Sequence, residues 1–177
     1  MTPNELRLIP RIGLFASLIY VLSWATAMLP NVNLIFFIVF VAGFMWGTTP
    51  GMLVGAFGMG LSTFFSPFGP AALPVMVAQV FGASMSGLLG YLFQSVYQNK
   101  LTKLKLYTWL PLFSILCTFC YFIPVTIVDS WLFQPFWERL YMSSFWSLIS
   151  VGSNILLFML LFPSIASFCN KEQQSFC

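Results

Sequence analysis

Long apolar stretches follow one another along this chain, and no charged side chain falls in the middle of any of them. Stretches of that kind leave too few polar positions to cover a water-facing surface, so lipid has to serve as the solvent. Composition agrees: 59% of the 177 residues are hydrophobic and 6% are charged, against roughly a quarter charged in soluble domains. Crossing about 30 Å of hydrocarbon at 1.5 Å per residue takes about 20 helical residues. We therefore expect an all-α membrane protein, a six-transmembrane-helix bundle that makes residues 1–177 a single integral membrane domain.

The expected spans are 12–29, 34–46, 52–65, 71–93, 106–128 and 142–168. Pro30-Asn31-Val32-Asn33 reads as a turn, Gly47-Thr48-Thr49-Pro50-Gly51 as a second and Ser66-Pro67-Phe68-Gly69-Pro70 as a third, because Gly, Pro and Asn supply the backbone angles that turns need. The polar stretch Gln94 to Lys105 and the aromatic stretch Asp129 to Tyr141 are expected as the remaining connections. No small-residue cleavage site follows the first apolar segment, which is expected to be retained as a span. With six spans and both termini cytoplasmic, Arg7, Arg11, Lys100, Lys103, Lys105 and Lys171 fall inside and Arg139 alone outside. A six-to-one partition is what the inside bias of basic loop residues requires.

The same side chains exclude most chemistry. The chain has no His, so a serine hydrolase lacks its base and a zinc enzyme its commonest ligand. Glu5, Asp129, Glu138 and Glu172 sit at or beyond the span ends, which leaves no intramembrane carboxylate for a proton or sodium relay. No Gly-rich loop leads into Lys-Ser or Lys-Thr, so no phosphate cradle is encoded. The net charge of +3 is small and dispersed, which argues against nucleic acid. Cys117 and Cys120 share an apolar run and are expected to pack there, and no metal or cofactor is expected. The reading is a protein that binds or moves something, not an enzyme.

Small residues recur every four positions at Gly43, Gly47, Gly51 and Gly55 and again at Ala78, Gly82, Ser86 and Gly90, marking faces where helices approach closely. Packing within the chain is the first expectation for both runs. Gly13, Ala16 and Ser17 give the first span a small-residue face suited to docking another protein. Gln79 and Asn154 are the amides placed within spans, where an unpaired polar group is costly, and each serves either a ligand or a tie between helices.

From Pro30 to about Phe93 a more specific pattern runs: the Pro-Asn-Val turn, a short apolar helix, a Gly-rich turn, Gly51-x-x-x-Gly55, Ser62-Thr63-Phe64-Phe65 and Gly69-Pro70 before a further helix. It resembles the S components of energy-coupling factor (ECF) vitamin transporters, in particular the group associated with cobalamin and its precursors. The resemblance implies a multi-pass protein of the bacterial cytoplasmic membrane that captures a vitamin at its outer face. It also implies a transmembrane coupling protein and two cytoplasmic ATPases as partners. Gly13 and Ser17 hold the spacing of the Ala-x-x-x-Ala docking face that such subunits carry. Related sequences place Asn where Thr63 stands. On this reading the site is lined by Asn31, Asn33, Phe65, Phe68, Gln79, Trp131 and Asn154, the aromatics stacking on a planar ligand and the amides orienting it. The alternative is a small cell-envelope scaffold similar to rod-shape-determining membrane proteins.

Overall fold

The computed structural model describes residues 3–28, 33–98 and 103–175, and among them it holds six helices and no strand. They are α1 (Pro3–Ala25), α2 (Leu34–Trp46), α3 (Thr48–Phe64), α4 (Leu73–Gln98), α5 (Lys103–Leu132) and α6 (Phe136–Ser175). Among the described residues, four stretches are long and apolar enough to cross a membrane: Arg7–Ala25, Leu73–Gln98, Lys105–Leu132 and Phe136–Ser167.

Every helix but α2, which matches 34–46, is longer than its expected span; the α2–α3, α4–α5 and α5–α6 connections shrink, whereas the α3–α4 connection lengthens because α4 starts at Leu73. Gly47 alone separates α2 from α3, at φ 97°, a conformation that a side chain at Cβ would strain. Thr48, Thr49 and Pro50 belong to the first turn of α3, where proline's missing N–H breaks no helical bond. Residues expected as polar loop, Gln94 to Gln98, continue α4. The aromatic connection contracts to Phe133-Gln134-Pro135, with Asp129 still in α5 and Arg139 already in α6. Those two form an ion pair at 3.2 Å across that turn.

α2 is the centre of the bundle. Every residue from Ile35 to Phe44 is buried, and the helix packs against α1, α3, α4, α5 and α6. A helix apolar on all sides belongs in a core. At 13 residues it is about 20 Å long, well short of the hydrocarbon thickness. Asn33 caps it, its side-chain Oδ1 accepting from the Ile35 amide at 3.2 Å.

Within lipid, burying a phenyl ring gains nothing from leaving water, so cohesion rests on close packing and ring geometry. Phe40 stands 5.0 Å from Phe158 and 5.4 Å from Phe93, and Phe44 meets Phe162 edge-on at 5.2 Å. Such pairs contribute about 0.5–1.5 kcal/mol each. Glycines bring the backbones together on the other side. A Cβ on Gly43 or on Gly51 would meet Gly87 backbone, one on Gly55 would meet Ala83 and Ser84, and one on Gly90 would strike the Phe40 carbonyl. Gly43, Gly51 and Gly55 of the first run and Gly90 of the second are thus used within the chain at the α2–α3–α4 junction, whereas nothing stands near the Cβ position of Gly47. Gly82 lets α4 reach α5 at Tyr121, beside the Cys120 carbonyl, whose helical donor is absent because Pro124 has no N–H.

A polar cavity at the end of the bundle and the family it belongs to

The end of the bundle where α1 finishes, α2 starts, α3 finishes and α4 starts encloses a cavity of about 350 Å³. The opposite end carries Arg11 stacked over Trp46, with the ring centroid 5.7 Å from the guanidinium carbon. Around the cavity stand Ser23 of α1 and Thr26 just beyond its end, Asn33 at the α2 cap, Ser62 and Thr63 of α3, Gln79 of α4 and Ser150 of α6, with Met59, Ile35, Tyr121 and Phe122 as apolar wall. Among the described residues, none that lines it carries a formal charge.

Helix termini explain why hydroxyls gather here. Near the last turns of α1 and α3, Ser and Thr bond back to carbonyls one turn earlier: Ser23 to Ile19 at 2.8 Å, Thr26 to Leu22 at 2.8 Å, Ser62 to Gly58 at 2.8 Å. Their oxygens keep lone pairs for the cavity. Ser23 also bonds Ser62, 2.9 Å away, tying α1 to α3. Thr63 donates to Gln79 Oε1 at 3.0 Å, and Gln79 is hydrogen-bonded to the Tyr121 side chain. Gln79 is therefore fixed from two sides with its amide at the cavity wall. The α3–α4 connection supplies Ser66 and Gly69 to the rim. There the Gly69 amide donates to the Ser66 carbonyl at 3.0 Å, with φ 93° at the glycine.

The residues expected to bind ligand divide. Asn33 and Gln79 line the cavity. Asn154 does not: it is fully buried between α5 and α6, its Nδ2 donating to Thr118 Oγ1 at 3.0 Å and its Oδ1 without a partner. Phe65, Phe68 and Trp131 point outward and are 52%, 77% and 71% exposed. Phe65 contributes its carbonyl to a bond from the Trp24 indole at 3.1 Å. Asn31 lies outside the described residues. Ser23, Thr26, Ser62, Ser66, Ser150, Tyr121 and Phe122 were not among the expected site residues; Ser and Thr near the ends of adjacent apolar segments were the available signal.

On α1, Gly13 and Ser17 face outward, with open space where a Cβ on Gly13 would stand, and Ser17 donates to the Gly13 carbonyl at 2.9 Å. Ala16 faces inward and is buried. Among the described residues no group of His, Cys, Asp or Glu is arranged to hold a metal ion.

No curated protein and no solved structure matches the chain. A family model does, over residues 4–167: ECF-type riboflavin transporter, S component. That match supports the expected S-component character and gives no support to the expected cobalamin-associated grouping. The family is a transporter family, not an enzyme family, and several apolar helices accord with a multi-pass membrane protein. The chain, matched along nearly its whole length, belongs to the S components of ECF-type riboflavin transporters.

Proposed function

We propose that this protein captures riboflavin, or a flavin of the same size, in the cavity between the ends of α1 to α4 and presents it for ATP-driven uptake. The observation that carries this reading is the cavity itself: about 350 Å³, uncharged, and lined by hydroxyls and amides with Tyr121 and Phe122 beside them. A flavin is a planar ring system carrying a hydroxylated chain, and both parts have counterparts in that lining. A lining without charge suits a neutral vitamin and gives no partner to a phosphate. A corrinoid with its nucleotide arm is far larger than the cavity, which speaks against cobalamin.

On this reading the chain passes through the membrane six times with both termini in the cytoplasm, the short α2 doing so enclosed by the other helices, so the cavity opens outward and the Gly13–Ser17 face meets a coupling protein below. Two cytoplasmic ATPases drive the cycle. The membrane is the cytoplasmic membrane of a bacterium. Residues 1–177 act as one membrane domain.

The experiment is a titration of the purified protein with riboflavin, followed by flavin fluorescence, with cobalamin as competitor. Saturable quenching that cobalamin does not displace is expected, and mass spectrometry of protein purified from cells should find retained flavin. Retention of a different compound, with no response to riboflavin, would overturn the substrate while leaving the family untouched.

A further inference from the structure

Two cavities of this protein meet at one side chain. The second, of about 330 Å³, lies between α5 and α6 beyond the wall of the first. Phe119, Phe122, Ile123 and Ile127 line it from α5 at helical spacing, and Leu140 and Leu148 face them from α6. Its serines are turned back on their own helix: Ser144 donates to the Leu140 carbonyl and Ser147 to the Ser144 carbonyl, each at 2.7 Å. Thr126 adds one further hydroxyl, and six of the nine lining residues are Phe, Ile or Leu, so the crevice offers mainly hydrocarbon where the first cavity offers hydroxyls and amides. Ile123, Ile127 and Leu148 are each more than half exposed on the outer surface of two membrane-length helices, so the crevice opens toward lipid.

Phe122 lines both cavities. Its neighbour Tyr121 faces the polar cavity alone, wedged against Phe36 at 4.8 Å and hydrogen-bonded to Gln79. Tyr121 in turn braces the Phe122 ring edge-on at 5.3 Å and 85°. A half-buried ring held this way forms a wall between an aqueous compartment and a lipid-facing one.

We infer that Phe122 is a specificity-determining partition: it closes the capture cavity toward the bilayer, so that apolar extensions of a ligand, and acyl chains of lipid, are kept out. The reading of the first cavity as the capture site underlies this. Hydroxyls and amides can select a polar vitamin only while hydrocarbon has no route to the same volume, because specificity is a difference of affinities and the competitor here is the solvent of the whole protein. With Phe122 removed, the two cavities join.

The test uses protein reconstituted in phospholipid vesicles and carrying Ser62→Cys, with modification of that thiol read by peptide mass spectrometry. Two maleimides are compared, one with a dodecyl chain that partitions into the bilayer and one sulfonated and confined to water. Adding Phe122→Ala should raise the dodecyl rate by about tenfold, as a cavity newly joined to lipid requires, and leave the sulfonated rate little changed. Phe122→Leu, which keeps most of the volume and secures a folded comparison, should lie between. Equal dodecyl rates in all three proteins overturn the partition. A parallel titration on protein with Ser62 intact separates this from the capture reading. If labelling responds to Phe122 while riboflavin does not bind, the substrate is wrong and the partition stands. If riboflavin binds and labelling is indifferent to Phe122, the reverse holds.

Discussion

Gln79 and Asn154 are both amides within apolar helices, and their surroundings assign them different work. Gln79 is pinned by Thr63 and Tyr121 at the wall of a cavity, whereas Asn154 spends its amide on Thr118 inside a closed α5–α6 interface. Gln79→Ala should weaken riboflavin binding about tenfold, the loss of roughly 1.4 kcal/mol expected for one ligand hydrogen bond. Asn154→Ala should leave the dissociation constant unchanged and lower thermal stability by about 1 kcal/mol, the usual value of one interhelical bond in lipid. Isothermal titration and a thermal melt in the same detergent separate the two; equal effects on binding would place Asn154 in the site. Sequence reading singled out both amides because polar groups in apolar runs are conspicuous. It passed over Ser23, Ser62 and Ser150, because serine is an ordinary residue in membrane helices and becomes informative only when three helices bring several together. It also counted Phe65, Phe68 and Trp131, whose aromatic character is legible in the chain while the direction they face, outward, is set by helix rotation.

Six helices were legible from hydrophobic run length, and α2 was expected and found over 34–46. The turns were less so, because residues such as Thr48 to Gly51 and Asp129 to Leu132 are compatible with either turn or helix until neighbouring elements fix the ends. Gly51 and Gly55 were recognisable as contact positions; Gly87, against which both Gly43 and Gly51 pack, falls outside the four-residue rhythm and needed the structure. On α1 the faces are sorted cleanly, with Ala16 and Ile19 packed inward and Gly13, Leu14, Ser17, Leu18 and Val21 outward. Among the described residues the outward face has no partner, so Gly13→Leu with Ser17→Leu should abolish riboflavin uptake by cells while purified protein binds riboflavin as before. Loss of binding in step with uptake would show that the face supports the bundle and not a coupling protein.

At the scale of the whole molecule, polarity is arranged along the bundle axis: cation over tryptophan at one end, hydroxyls and amides around a cavity at the other, rings and glycine contacts between. Such an axis has a direction in the membrane. Gln134→Cys, in the α5–α6 turn, should react with an impermeant thiol reagent added to intact cells, and Gln98→Cys, at the end of α4, only after permeabilisation. The opposite pattern would invert the bundle and point the cavity at the cytoplasm. The central position of α2 has a further consequence, for how the protein is made. A nascent chain makes this apolar helix before α4, α5 and α6 have left the ribosome, so the sides that those helices later cover first face acyl chains. In the finished protein those neighbours have been exchanged for protein on every side. Assembly is therefore a solvent replacement completed from the C-terminal half. A chain halted after α3 leaves its central helix covered by α1 and α3 alone, fully synthesised and not yet enclosed.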